Sequence, residues 1–124
     1  MNKKLILFIL VGIVLIGGLF LSLKPKDGVE VVSERVSGKY FELVVKDGKV
    51  ISGENTLMAK DGDMVTIKIT VDKPEELHLH GYDKTIELAK DMATELSFLA
   101  DLTGRFAIEL HDAGIEIAVL EVNP

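Results

Sequence analysis

Apolar and polar residues alternate along most of the chain beyond position 38, the mark of strands that bury one face and expose the other. Tyr40-Phe41-Glu42-Leu43-Val44-Val45-Lys46 reads as the first strand. Asp47-Gly48 follows, a pair suited to the left-handed backbone of a two-residue hairpin turn, and Lys49-Val50-Ile51 returns. Asp61-Gly62-Asp63 introduces Met64 to Val71, in which Val65, Ile67, Ile69 and Val71 define one face. Leu77 to Tyr82, Thr85 to Leu88, Thr94 to Leu99, Phe106 to His111 and Ile115 to Val122 follow, with turn residues between them. The stretch from Leu88 to Leu99 also admits a short helix, but the alternation of Thr94, Leu96 and Phe98 favours a strand, and Met92 shares their parity as a core residue. Roughly seven or eight short strands without helical periodicity predict an all-β sandwich.

The N-terminus follows a different rule. Residues 5–23 carry no charge, and a helix of that length rises about 28 Å, close to the hydrocarbon thickness of a bilayer. Lys3 and Lys4 precede the run, which predicts a cytoplasmic N-terminus and an exported remainder; Lys24 and Lys26 weaken that bias without reversing it. A cleaved signal peptide is the competing reading. It would have a shorter apolar core and a small-x-small cleavage site, whereas this run ends in Phe20-Leu21-Ser22-Leu23-Lys24-Pro25. Without cysteine a lipid-anchored form is excluded. The expected organisation is a transmembrane anchor over residues 1–24, a linker with a candidate first strand over 25–37, and a β domain over 38–124. The expected location is the cell membrane, crossed once, with the C-terminal domain on the extracytoplasmic side.

Charge narrows the partners. All 20 acidic residues lie from Asp27 onward with only 10 of the 14 basic ones. A surface so acidic repels nucleic acid and anionic headgroups and attracts cations. The lack of cysteine removes disulfide staples and thiolate chemistry together.

The candidate chemistry rests on histidine. All three histidines fall in two patches, His78-Leu79-His80-Gly81-Tyr82 and Leu110-His111-Asp112. Imidazole is the commonest protein ligand for copper and zinc, and two at i, i+2 on a strand point to the same side. Parity puts Leu77 and Leu79 on one face and His78 and His80 on the other; likewise Phe106, Ile108 and Leu110 oppose Ala107, Glu109 and His111. If the leucines and Ile108 are core, all three imidazoles lie outside it. They can share an ion only if the two strands are neighbours, with His80 or His78 opposite His111. The competing reading is solvated surface histidines on an adhesive sandwich. Asp83, Glu109 and Asp112 flank the rings, either as hydrogen-bond partners of imidazole N–H groups or as solvated charges. Met64 lies in the polar register of its strand; it is a candidate soft sulfur donor to Cu(I), but an edge or second-core position is the favoured expectation. Tyr82 either packs beside the site or buries its ring under the turn.

The stretches Asp61-Gly62-Asp63-Met64-Val65-Thr66-Ile67, His78-Leu79-His80-Gly81-Tyr82-Asp83 and Gly104-Arg105-Phe106-Ala107-Ile108-Glu109-Leu110-His111 resemble a cupredoxin. More specifically, they are similar to the small membrane-anchored bacterial cupredoxin-like proteins with an H-x-H-G-Y segment. The resemblance covers roughly residues 38–124. It implies a Greek-key β-sandwich in which the strand carrying His78 and His80 lies beside the strand ending at His111. Blue-copper cupredoxins use a cysteine thiolate as well as histidines. Here Leu110 stands roughly in the cysteine's place, and Asp112-Ala113-Gly114 is too short for the remaining ligands. A blue-copper centre and its fast electron transfer are therefore not expected. A site of two or three imidazoles suits Cu(II), admits two-coordinate Cu(I), and is compatible with zinc.

Three functions compete. The leading expectation is a membrane-tethered extracytoplasmic module that binds copper through His78, His80 and His111, for holding or delivery to a donor or acceptor protein. The alternative is a metal-free cupredoxin-fold interaction module of a membrane complex. A type-2 copper redox enzyme comes last, since no nucleophile–base pair, phosphate loop or paired-carboxylate motif stands out.

Overall fold

The computed structural model describes residues 37–124. The expected anchor and all of the expected linker but Ser37 lie outside the described residues. Among the described residues there is no helix long and apolar enough to cross a membrane. The described residues form nine strands: β1 (Gly38–Lys46), β2 (Lys49–Ser52), β3 (Thr56–Lys60), β4 (Met64–Val71), β5 (Glu75–Leu79), β6 (Lys84–Leu88), β7 (Thr94–Leu99), β8 (Gly104–Leu110) and β9 (Ile115–Asn123). They build two mixed sheets, of order β2-β1-β4-β7 and β3-β9-β8-β5-β6. In each sheet one pair is parallel, β1 with β4 and β3 with β9, and the other pairs are antiparallel.

The alternation read from sequence is the alternation of burial. Val65, Ile67, Ile69 and Val71 on β4 are all buried, and they meet Leu77, Leu79, Ile108 and Leu110 from the other sheet in one hydrophobic core. Asp47 and Gly48 both take positive φ (49° and 71°), the type I′ geometry whose twist suits a hairpin, and β1 and β2 pair antiparallel across them.

Two expectations fail locally. Thr56–Lys60 is a strand that alternation did not reveal. Only Leu57 and Ala59 point inward, Met58 is an exposed apolar residue between them, and the segment gains its ladder from parallel pairing with the distant β9. Met92 is not core but 62% exposed. Asp91 has φ of 58° and Met92 donates its N–H to Ala89, so a turn breaks the parity before β7 begins at Thr94.

Asp63 explains the Asp61-Gly62-Asp63 turn. Its carboxylate is almost fully buried, and Oδ2 accepts the Lys60 N–H at 2.8 Å. Its carbonyl accepts the Ala100 N–H at 2.8 Å, and Gly62 donates to the Ala100 carbonyl at 2.8 Å, which ties the β3–β4 turn to the end of β7. Asp63→Ala would orphan the Lys60 N–H, and a loss of about 1–3 kcal/mol is expected in urea-denaturation midpoints.

Candidate metal centre

The site begins with burial of leucine. Leu77 and Leu79 are inaccessible to solvent, so period-two alternation turns His78 and His80 to the outer face of the five-stranded sheet. On β8, Ile108 and Leu110 face the core and Glu109 faces outward. Strands β5 and β8 are antiparallel neighbours with Leu77 opposite Leu110, His78 opposite Glu109 and Leu79 opposite Ile108. The ladder runs past both strand ends. The His80 N–H donates to the Ala107 carbonyl at 3.0 Å, and the His111 N–H donates to the Glu76 carbonyl at 2.8 Å. Both histidines just beyond the strands are thus held in register by backbone hydrogen bonds.

The three imidazoles converge. The rings of His78 and His80 have centroids 4.1 Å apart, and those of His78 and His111 are 6.1 Å apart and nearly perpendicular. Direct opposition, which parity suggested for His111, does not occur. Glu109 faces His78, and His111 reaches it along the diagonal, where cross-strand neighbours still touch through long side chains.

Glu109 is the residue whose role sequence left open, and it lies between the rings. Its Oε2 stands 2.8 Å from His80 Nε2, and its Oε1 stands 3.9 Å from His111 Nδ1. Of the flanking acids it is Glu109 that reaches the imidazoles, while Asp83 and Asp112 are exposed in turns. A β-bulge at the Ile108/Glu109 step makes Ile117 an extra residue on β9, so Ile117 and Ala118 are buried in succession. Across β9, Glu116 pairs with Glu109, and across β6, Glu87 pairs with Glu76. Four carboxylates therefore frame three imidazoles on one sheet face.

As the rotamers stand, no three His, Cys, Asp or Glu groups among the described residues could hold one ion together. His80 Nε2 is engaged by Glu109 instead. The donor set nevertheless fits copper or zinc. With metal–nitrogen bonds of about 2 Å, two imidazoles on one ion hold their centroids roughly 4.5–6.5 Å apart. The 6.1 Å separation of His78 and His111 falls inside that span, and the 4.1 Å separation of His78 and His80 falls a few tenths of an ångström below it, a gap that side-chain rotation can open.

The rest of the H-x-H-G-Y segment secures the turn. Gly81 has φ of 82°, and a Cβ there would lie 2.3 Å from Phe106 Cδ1, so glycine lets that ring close over the backbone. The Tyr82 ring packs against Phe98 and Phe106, with centroids 5.0 and 4.9 Å away. Its hydroxyl donates to the Leu102 carbonyl at 2.9 Å and accepts the Leu102 N–H at 3.1 Å. Tyr82 thus buries its ring under the turn and fastens the β5–β6 connection to the β7–β8 loop.

Burial pushes the Tyr82 phenol pKa up, and the Leu102 backbone bond partly offsets this. The unfolded chain loses this proton near pH 10, before the folded chain does. The contribution of Tyr82 is therefore complete below about pH 10 and lost as pH rises through the higher folded value. Tyr82→Phe is expected to cost about 1 kcal/mol at neutral pH and to flatten that alkaline loss, measured by denaturant unfolding at several pH values.

No family model matches this sequence, and no curated protein matches it. Solved structures do. A chain of a heme-copper terminal oxidase dimer, determined by cryo-EM, superposes with a TM-score of 0.58 at 10% identity, covering 97% of this chain and 93% of that one. A copper binding protein in the apo form, determined by NMR, gives 0.54 at 11% identity over 71% of this chain and 99% of that one. A multi-copper oxidase from Pseudomonas Thermotolerans gives 0.57 at 16% identity over 71% of this chain and 30% of the larger oxidase. At these identities the likeness is one of fold: the β-sandwich of this chain is shared with these three copper proteins.

Proposed function

We propose that this chain is a membrane-tethered, extracytoplasmic copper-binding module that holds or delivers the ion through His78, His80 and His111. The observation that carries the reading is the gathering of every imidazole in the chain onto one patch of one sheet face. Isolated surface histidines have no reason to cluster this way. Glu76, Glu87, Glu109 and Glu116 on the same face add negative potential that draws cations in at low ionic strength. The uncharged run over residues 5–23 is the proposed tether, with Lys3 and Lys4 on the cytoplasmic side.

Copper, once bound, supplies a redox-active ion that a donor or acceptor protein can exchange; zinc is the second candidate. The chain's own part is to present nitrogen donors at the surface. The patch is open, with His111 60% exposed, which suits hand-over better than permanent storage. The absence of thiolate argues against fast electron transfer, which leaves holding or handing over the ion as the role this donor set suits best.

A Cu(II) titration of the full chain in detergent, followed by electron paramagnetic resonance, tests the reading. One equivalent with a large parallel hyperfine splitting is expected. No binding, together with co-purification of a partner protein, would favour a metal-free interaction module, in which the His80–Glu109 contact is simply part of a docking face.

A further inference from the structure

We infer that Glu109 is a direct ligand, so that the site is a three-imidazole, one-carboxylate set that prefers a divalent ion to Cu(I); this rests on the copper-binding reading above. The carboxylate reaches two of the rings that would share an ion. One oxygen lies 2.8 Å from His80 Nε2, the other lies 3.9 Å from His111 Nδ1, and the residue is directly opposite His78. At 26% side-chain exposure it is more enclosed than His80 at 44% or His111 at 60%. A solvated surface glutamate would extend away from the rings.

The local charge points the same way. Glu109 faces Glu116 across β9, and like charges directly opposite one another destabilise a sheet. Among the described residues the basic groups within 4 Å of the Glu109 carboxylate are the His80 and His111 imidazoles, with no lysine or arginine at that distance. A divalent cation among the rings would relieve that repulsion and leave a net charge of about +1 on the four-ligand set. Carboxylate oxygen is a hard donor, which favours Cu(II) and Zn(II) over Cu(I).

The test is competitive titration of the full chain with Cu(II), Zn(II) and Cu(I), in parallel with Glu109→Gln and Glu95→Gln. Glutamine preserves size and a hydrogen-bond acceptor, so a residue that only positions His80 would tolerate it. Glu109→Gln is expected to weaken Cu(II) and Zn(II) by on the order of 100-fold and Cu(I) by less than about threefold. It should also change the Cu(II) hyperfine splitting. Glu95→Gln, which removes the same charge from an exposed position on β7 in the other sheet, should shift divalent affinity less than about threefold. Glu109→Asp keeps the charge on a shorter arm and should lose affinity in the same direction, which covers the case in which the glutamine chain does not fold. An unchanged or raised Cu(II) affinity in Glu109→Gln overturns the inference while leaving the three-imidazole site intact. An equal loss for Cu(I) and Cu(II) also overturns it, by assigning Glu109 a positioning role. A parent chain that binds no ion ends the copper reading and this inference together.

Discussion

The full chain carrying His78→Ala, His80→Ala and His111→Ala together is expected to lose copper binding, with Kd rising by more than about 100-fold. The bound stems from metal sites in which removing an outer-shell partner alone costs roughly 10–100-fold, so removal of every nitrogen donor must exceed it. The sheet itself should survive. All three side chains lie on the solvent side of β5 and β8, while the leucines that hold the register, Leu77 and Leu79, are untouched. Thermal unfolding without metal should therefore shift by only a few degrees, and the parent alone should gain stability on adding Cu(II), since an ion that binds the folded state stabilises it by mass action. Single variants should rank by connection to the cluster. His78, whose ring neighbours both others, is expected to matter most. A triple variant that binds Cu(II) as the parent does would remove these histidines from the function.

Gly81→Ala is expected to be the most damaging single methyl that can be added near the site. Two costs coincide. A non-glycine residue held in the left-handed region costs about 1–2 kcal/mol, and forcing a side chain into a packed site costs roughly 1–3 kcal/mol more. The second applies because the new Cβ would lie 2.3 and 2.7 Å from Phe106 Cδ1 and Cε1, atoms of a ring already wedged against Tyr82. The predicted loss is about 2–5 kcal/mol in chemical denaturation. Gly62→Ala is the matched control. It too has positive φ, at 89°, but nothing stands within 4 Å of its missing Cβ, so only the backbone cost applies. If the two variants lose equal stability, the Phe106 contact is not what glycine serves at position 81. Gly81 adjoins His80, so the damaged chain should also bind copper more weakly than the Gly62 variant.

Much of the sandwich could be read directly because alternation is a local property. Val65, Ile67, Ile69 and Val71 announce a strand with one wet and one dry face whatever it pairs with. Asp47-Gly48 announces a hairpin for the same reason, since the backbone preference of two residues decides it. Where local signal was weak the reading failed. Thr56–Lys60 has only two inward residues and owes its strand to β9, more than fifty positions away. Met92 kept the right parity but lost its place to a turn at Asp91. Glu75, on the inner face before Leu77, disguised the start of β5.

The candidate site divides along the same line. By itself the sequence determined that three imidazoles point away from the core, since burial of Leu77, Leu79, Ile108 and Leu110 leaves them no other face. It also determined that no thiolate takes part. Only the tertiary structure decided that β5 lies beside β8, that His111 meets His78 diagonally while Glu109 stands directly across, and that a carboxylate occupies the space between the rings. Parity follows from the geometry of a single strand, whereas register between strands some thirty residues apart depends on which side chains the assembled core accepts.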